Sequence, residues 1–221
     1  MLSVRVFIIV VSLCLAGLYG IVTGVPVFSA EPEDSTHSAL PPGQRVITDF
    51  PILHYDRIPD LDRNTWVLKI TGEVANPVKM DWNTFIQLDT IVSISDFHCV
   101  TGWSRLKNRW VGVRIRDVLD RARPKASAKY ILFKAADGYS TSLPLSECTG
   151  DDDLLAFRWE GRELDASLGG PVRAVIPLKY GYKSAMWLTE MRLTKNEIDG
   201  YWEKRGYSRT ADPGSNDRYE R

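Results

Sequence analysis

The sequence predicts an α+β domain dominated by mixed β-sheet, and three observations predict this class. Short segments rich in β-branched and aromatic residues recur between residues 66 and 193, bounded by glycine, asparagine or proline turn signals. Helical signals are confined to two short segments of the same region. The chain has 221 residues, of which 44% are hydrophobic and 25% charged, a composition that provides one domain with a substantial core.

The elements follow in order from alternation, capping and turn signals. A strand is predicted at Trp66–Thr71, because apolar and polar residues alternate there until Gly72. A short helix follows at Asp81–Leu88, with the Asp81 carboxylate as its cap. A later helix at Ile115–Ala122 has apolar residues at helical spacing on one face. The remaining predicted elements are strands at Ile91–Phe97, Trp110–Val113, Tyr130–Ala135, Tyr139–Leu143, Leu154–Trp159, Val172–Ile176 and Trp187–Leu193, and the hairpin turn at Asp137-Gly138.

Residues 1–30 have the composition of a transmembrane anchor or a signal segment. Val6–Val22 is almost wholly apolar behind Arg5, and the segment is long enough to cross a bilayer at about 20 residues per span. Cleavage after Ala30 is the alternative, which would release a secreted domain. The charge of Arg5 favours a cytoplasmic amino terminus and a domain outside the cytoplasm, on the periplasmic side. The further predicted divisions are a polar linker at 31–43, the folded domain at 44–212 and a polar tail at 213–221.

Charge and cysteine content exclude several classes of function. Lys plus Arg equal Asp plus Glu at 28 each, so no overall positive field favours nucleic acid. Three cysteines are too few for a disulfide framework, although a single Cys99–Cys148 bond stays open. The sequence has no Cys-x-x-Cys-His motif, and no covalently attached haem is expected.

Cys99 is the candidate metal ligand. It follows a predicted strand and precedes Gly102, which places its thiol on a loop at the end of a sheet. Thiolates are soft ligands that suit redox-active metals, but no cysteine or histidine stands at zinc spacing, so a cofactor would have to supply most ligands. The alternative is that Cys99 is a small buried hydrophobic residue. Beside it, His98 could activate the thiol or hydrogen-bond a cofactor, and Thr101 and Ser104 are candidate donors.

Basic residues around the turn at 180–182 form the candidate anion site. The side chains concerned are Arg173, Lys179, Lys183 and Ser184. Convergent cations, a hydroxyl and backbone amides are what a phosphate requires, although a solvated basic loop has the same composition. A second cluster would suit a small anionic substrate or is ordinary surface charge; it consists of Arg105, Lys107 and Arg109.

Six short segments stand out as motifs in a fixed order: Asp49–Tyr55, Phe97–Thr101, Trp110–Val113, Asp137–Thr141, Gly169–Pro171 and Gly200–Tyr207. Together they resemble the sulfite-oxidase fold family, and especially its small sulfite-oxidase-like oxidoreductases, over most of Pro41 to Asp212. The resemblance implies a sulfite-oxidase-type molybdopterin-binding domain with a molybdenum cofactor. It further implies that Cys99 binds molybdenum and that Tyr139 faces the metal. The cofactor contacts implied are His54, Tyr55, His98 and Thr101, with Arg173, Lys183 and Ser184 at the pterin phosphate.

The chain departs from the family pattern at three positions. Leu168 stands where relatives have histidine or asparagine before the Gly-Gly-Pro motif, and Met186 stands where they have lysine. Two polar cofactor contacts are therefore missing. Leu53 stands where sulfite oxidases have arginine, which argues against a sulfite-specific pocket, and the amino terminus lacks a twin-arginine export signal.

The resulting hypothesis is a membrane-anchored molybdenum-pterin oxidoreductase that performs two-electron oxygen-atom transfer on a small oxo-anion or on an S- or N-oxide. We expect no haem domain, so electrons would pass to or from a separate partner, such as a membrane or cytochrome protein. The alternative is a cofactor-free or altered descendant of the fold that acts as a membrane-tethered accessory or binding subunit. Leu168 and Met186 favour the alternative, whereas Cys99 and Arg173 oppose it.

Overall fold

The computed structural model describes residues 40–51, 54 and 57–220. Strands are the most frequent elements of the described residues, which also contain two short α-helices and four 3₁₀ turns. The elements are β1 (Arg45–Val46), β2 (Val67–Gly72), β3 (Val78–Asp81), α1 (Trp82–Phe85), β4 (Thr90–Cys99), β5 (Trp103–Arg114), α2 (Ile115–Ala122), β6 (Tyr130–Ala135), β7 (Ser140–Pro144), β8 (Leu154–Trp159), β9 (Arg162–Glu163), β10 (Arg173–Val175) and β11 (Leu188–Thr194).

The strands form two sheets. In the six-stranded sheet, the order β1-β5-β8-β10 is extended by β4, which pairs with β5, and by β9, which pairs with β8. The five-stranded sheet has the order β3-β2-β11-β6-β7. The β1–β5 and β2–β11 pairs are parallel and the others are antiparallel. The predicted mixed sheet with few helices is therefore confirmed.

Alternation along the strands separates two hydrophobic clusters. Leu155 of β8 belongs to the main core, to which both sheets contribute, whereas its neighbour Ala156 belongs to a second cluster. The second cluster also contains Phe97 and Trp110. Arg173 of β10 lies opposite Ala156 in the sheet, and its guanidinium packs against the rings of this second cluster.

Alternation and helical spacing predict most elements well. The largest difference is β5, which begins at Trp103 and not at Trp110. Residues 103–109 are rich in cations, but antiparallel pairing with β4 continues as far as Cys99 opposite Trp103 and keeps them in the sheet. The elements with unchanged bounds are α2 at Ile115–Ala122, β6 at Tyr130–Ala135 and β8 at Leu154–Trp159.

The first helix is shorter than its sequence predicts. It ends at Phe85 and not at Leu88. The Asp81 carboxylate nevertheless caps it as predicted, accepting a hydrogen bond from the Thr84 amide at 2.8 Å.

The predicted anchor or signal segment at 1–30 lies outside the described residues, as does most of the linker at 31–43. Within the part of the chain that the structure describes, no helix has the length and apolarity that a membrane crossing requires. Residues 213–220, predicted as a polar tail, are hydrogen-bonded to the domain. The Ser208 amide donates to the Arg218 carbonyl at 3.1 Å, and the Glu220 amide donates to the Gly206 carbonyl at 2.9 Å.

Candidate functional site

A cavity of about 300 Å³ lies against the turn between β4 and β5. A volume of this size suits a small ligand, at the lower end of the usual range of about 300–1,000 Å³. Its walls are mainly aromatic and apolar, with few polar groups. The predicted site residues that line it are His54, Cys99, Thr101, Tyr139, Arg173 and Ser184.

Cys99 is the last residue of β4 and presents a partly exposed thiol to the cavity. Its Sγ atom lies 3.1 Å from the Thr101 hydroxyl. Its carbonyl accepts from the Gly102 amide at 3.0 Å and from the Gln44 side-chain amide at 3.1 Å. Among the described residues, no three histidine, cysteine or carboxylate side chains are grouped to hold a metal ion. A metal bound at Cys99 would therefore take most of its ligands from a cofactor, as the sequence predicts.

The disulfide that the sequence left open is not formed, because Cys99 and Cys148 are both free thiols. Cys148 is fully buried, and its Sγ atom donates to the Pro144 carbonyl at 3.4 Å. Burial raises the pKa of the Cys148 thiol, which keeps it protonated and unreactive.

Tyr139 and His54 lie in the cavity wall, while Tyr55 lies outside the described residues. The Tyr139 hydroxyl donates to the Tyr182 carbonyl at 2.5 Å. Burial raises the pKa of Tyr139 well above its usual value, so the phenol stays protonated. The His54 ring stands 6.1 Å from the Trp187 ring, edge to face.

His98 is buried and does not line the cavity. Its Nδ1 atom lies 2.7 Å from the Ser104 hydroxyl. Burial lowers the pKa of His98, against the opposing effect of the Asp96 carboxylate. The structure thus places His98 behind the Cys99 turn, where its ring is turned towards Ser104.

Arg173 is a buried cation in the cavity wall, only 2% exposed. Its guanidinium donates to the carbonyls of Leu168 at 3.0 Å and Ser184 at 3.3 Å, and it lies 5.4 Å from the Phe97 ring centroid. Among the described residues, no carboxylate pairs with it. Burial lowers its pKa to about 10. A buried charge without a counterion is costly, so this wall is suited to an anionic group of a ligand.

The Ser184 hydroxyl, beside Arg173 in the wall, is also suited to bind a pterin phosphate. The Ser184 hydroxyl is buried in the wall and accepts from the Ile176 amide at 3.0 Å, which leaves its own proton free to donate. A thiol and a buried guanidinium thus line one cavity. The donor set of the cavity fits a molybdenum-pterin cofactor, with Cys99 for the metal and Arg173 and Ser184 for the phosphate.

The other predicted phosphate ligands are already paired. Lys183 is fully buried, does not line the cavity, and binds the Glu203 carboxylate at 2.6 Å and the Ser142 carbonyl at 2.9 Å. Lys179 pairs with Glu147 at 2.5 Å. Glu203 lies in the Gly200–Tyr207 motif, but nothing in the sequence indicates that it pairs with Lys183.

The second cationic cluster does not reach the cavity. Arg105 binds Glu160 at 3.0 Å and stacks over the Trp159 ring at 4.6 Å. Neither Lys107 nor Arg109 lines the cavity.

Leu168 and Met186, two of the three positions at which the sequence departs from the pattern that the resemblance implies, both line the cavity. Met186 packs closely against Gly169, whose φ of +94° favours glycine; a Cβ atom there would lie 2.7 Å from the Met186 Cβ. This part of the wall is therefore apolar and closely packed.

Aromatic side chains, which were not among the predicted site residues, form most of the remaining wall. Only their membership of the quoted motifs, as for Phe50 and Trp202, could have indicated them. They are Phe50, Phe97, Trp103, Tyr182, Trp187, Trp202 and Tyr207.

Residues 54–202 match the family described as oxidoreductase molybdopterin binding domain. The uncharacterized oxidoreductase YuiH of Bacillus subtilis is 39% identical over 181 residues, which cover 81% of this chain and 91% of that protein. The protein-methionine-sulfoxide reductase catalytic subunit MsrP of Campylobacter jejuni is 27% identical over 65% of this chain. The aligned region spans 54% of that subunit, about half its length.

The crystal structure of the sulfane dehydrogenase SoxCD from Paracoccus pantotrophus shares the fold, with a TM-score of 0.59 and 19% identity. The similarity covers 64% of this chain and 41% of the SoxCD chain. With the family match over two thirds of the sequence, the chain belongs to the molybdopterin-binding oxidoreductases of the sulfite-oxidase fold family.

Proposed function

We propose that this domain binds a molybdenum-pterin cofactor through Cys99 and performs two-electron oxygen-atom transfer on a small sulfur or nitrogen oxo compound. Electrons pass to or from a separate partner, such as a membrane or cytochrome protein. The Campylobacter relative, named as a methionine sulfoxide reductase subunit, supports the sulfur-oxide form of this proposal. Residues 1–30 provide the membrane anchor, residues 31–43 the linker, and the domain lies on the periplasmic side.

The observation that carries the proposal is the buried Arg173 guanidinium in the wall of the cavity that also contains the Cys99 thiol. The bound cofactor supplies the redox-active metal and the dithiolene sulfurs. Within the chain, Cys99 provides the protein thiolate, while Arg173 and Ser184 hold the phosphate. Tyr139 keeps its proton at neutral pH, and it forms the polar part of the wall with His54 and Thr101.

The metal content of the purified protein tests the proposal directly. Protein made in a host that synthesises molybdopterin should contain close to stoichiometric molybdenum. Metal-free protein from that host, with a normal melting temperature, would contradict the proposal.

Arg173→Met is expected to weaken cofactor binding without destabilising the cofactor-free fold. Methionine fills similar space but removes a charge-assisted hydrogen bond to the phosphate, worth about 1.5–3 kcal/mol. In cofactor-free protein the same change removes a buried cation that no described carboxylate neutralises, which offsets the loss of its hydrogen bonds to the Leu168 and Ser184 carbonyls. Cofactor occupancy and melting temperature should be measured on both forms.

Arg105→Met is the matched control, because Arg105 is already paired with Glu160 and does not line the cavity. Equal cofactor occupancy in the two variants would show that Arg173 does not hold the phosphate.

The accessory-subunit alternative rests on the apolar side chains of Leu168 and Met186 in the wall. We expect Leu168→His with Met186→Lys to raise cofactor occupancy, because the double change restores two polar partners beside the Arg173 wall. If the pocket holds no cofactor and its apolar wall serves an accessory subunit, the same change would bury an imidazole and an ammonium without hydrogen-bond partners. Cofactor content and melting temperature should be measured together. A lower melting temperature with no gain of cofactor would favour the accessory subunit.

A further inference from the structure

The turn that carries Cys99 is held by two side chains that lie outside the family motifs, Gln44 before them and Arg218 after them. We propose that Gln44 and Arg218 are positioning residues that fix this turn and thereby orient the Cys99 thiol for metal binding. The part of the proposal that concerns the metal rests on the proposed function of Cys99.

Gln44 holds the turn through a directed chain of hydrogen bonds. Its Nε2 atom donates to the Cys99 carbonyl at 3.1 Å, and its Oε1 atom accepts from the Ser104 hydroxyl at 3.1 Å. Reversing the amide would bring two acceptors together at Cys99, so its orientation is determined. The Ser104 hydroxyl therefore donates its proton to Gln44, and the Ser104 oxygen accepts a hydrogen bond from His98 Nδ1 at 2.7 Å. The chain runs from His98 through Ser104 and Gln44 to the Cys99 carbonyl.

Arg218 holds the next carbonyl of the same turn. Its Nη1 atom donates to the Val100 carbonyl, and its Nη2 atom donates to the Gly43 carbonyl at 3.1 Å. Its Nε atom donates to Asn216 at 2.7 Å, and the guanidinium lies 5.6 Å from the Tyr180 ring centroid. Among the described residues, no carboxylate pairs with this arginine. Its planar fork bridges two backbone segments with separate nitrogens, a fixed geometry that a lysine ammonium does not reproduce.

These two contacts act on consecutive peptide groups. The Cys99 carbonyl belongs to one rigid peptide plane and the Val100 carbonyl to the next. With both planes held, the backbone on the carboxyl side of Cys99 is restrained, and this keeps the thiol beside the Thr101 hydroxyl, 3.1 Å away. Groups that orient a metal ligand without touching the metal typically change metal affinity by about 10- to 100-fold when they are replaced.

The test uses Gln44→Met and Arg218→Met in the full chain, with Arg209→Met as the matched control. Arg209 is an arginine of the same carboxyl-terminal region that pairs with Asp199 at 2.8 Å, and none of its hydrogen bonds or ion pairs among the described residues involves the turn. The rate at which iodoacetamide alkylates Cys99 is measured on cofactor-free protein by peptide mass spectrometry. The buried Cys148 serves as the internal reference for unfolding. Molybdenum retention is measured in parallel on protein from a molybdopterin-producing host.

We expect Cys99 alkylation to accelerate several-fold in both variants while Cys148 stays protected, and molybdenum affinity to fall by about 10- to 100-fold. Should Arg218→Met not fold, Arg218→Lys gives the same test, because it keeps the charge but has no planar fork to hold both carbonyls in the native geometry. Alkylation rates equal to that of Arg209→Met would overturn the proposal. Faster alkylation with full molybdenum retention would overturn it as well. A wild type without molybdenum would instead refute the proposed function, and the alkylation rates would then decide the role of Gln44 and Arg218 by themselves.

Discussion

Cys99→Ser is expected to abolish molybdenum retention and catalytic activity while leaving the fold intact. Serine is nearly isosteric with cysteine, but its hydroxyl is a harder and weaker donor for the metal. The substituted hydroxyl can still bond to Thr101, which lies 3.1 Å from the native Sγ atom. The molybdenum content, activity and melting temperature of the variant, compared with the wild type, check this expectation.

Cys148→Ser is the control for that experiment. Its thiol is fully buried away from the cavity and donates to a backbone carbonyl, which a serine hydroxyl can also do. We expect its molybdenum content to match the wild type. A large loss of metal in Cys148→Ser, or unchanged metal and activity in Cys99→Ser, would show that the assignment of the ligand is wrong.

Removing one partner of the buried Lys183–Glu203 pair is expected to destabilise the domain strongly. Both side chains are completely buried, at a distance of 2.6 Å. Burial lowers the pKa of Lys183, an effect that the Glu203 carboxylate opposes. Glu203→Leu leaves the ammonium buried without a counterion, which typically costs about 3–5 kcal/mol of unfolding free energy. Urea denaturation measures this loss.

The double variant Lys183→Met with Glu203→Leu separates a structural pair from a cofactor ligand. Removing both charges together leaves no unpaired ion, so most of the lost stability should return. Because Lys183 does not line the cavity, the double variant should also keep its molybdenum. Stability losses that simply add would argue against coupling of the pair. A double variant that folds normally but contains no metal would restore Lys183 as a phosphate ligand.

The sequence predicted elements best where a local pattern determines them. The spacing of apolar residues in α2 and the turn before β7 are local, and both predictions are confirmed. The start of β5 at Trp103 depends on pairing with β4, which composition alone does not reveal. The largest error in the predicted elements, the start of β5, therefore arose because hydrogen bonds to a separate strand determine it.

In the candidate site, the sequence motifs predict which residues line the cavity better than they predict which carboxylate neutralises each cation. Cys99 and Arg173 were named from the sequence, and both line the cavity. Lys183 was also assigned to the phosphate, because a sequence shows a cation but not the Glu203 carboxylate that neutralises it. Arg218 lies in a segment predicted as a polar tail, and its contact with the Cys99 turn is likewise a long-range interaction that the sequence does not show.

The parallel pairing of β2 with β11 has a consequence for the time at which a cofactor can enter. β2 (Val67–Gly72) pairs with β11 (Leu188–Thr194), so this sheet closes only after the segment that contains β11 has been synthesised. The cavity wall likewise draws on residues from Phe50 to Tyr207. A growing chain therefore presents no finished pocket until Tyr207 has been synthesised, and cofactor insertion must come after that point. Such late closure also makes folding slow, because distant segments must meet before their contacts contribute stability.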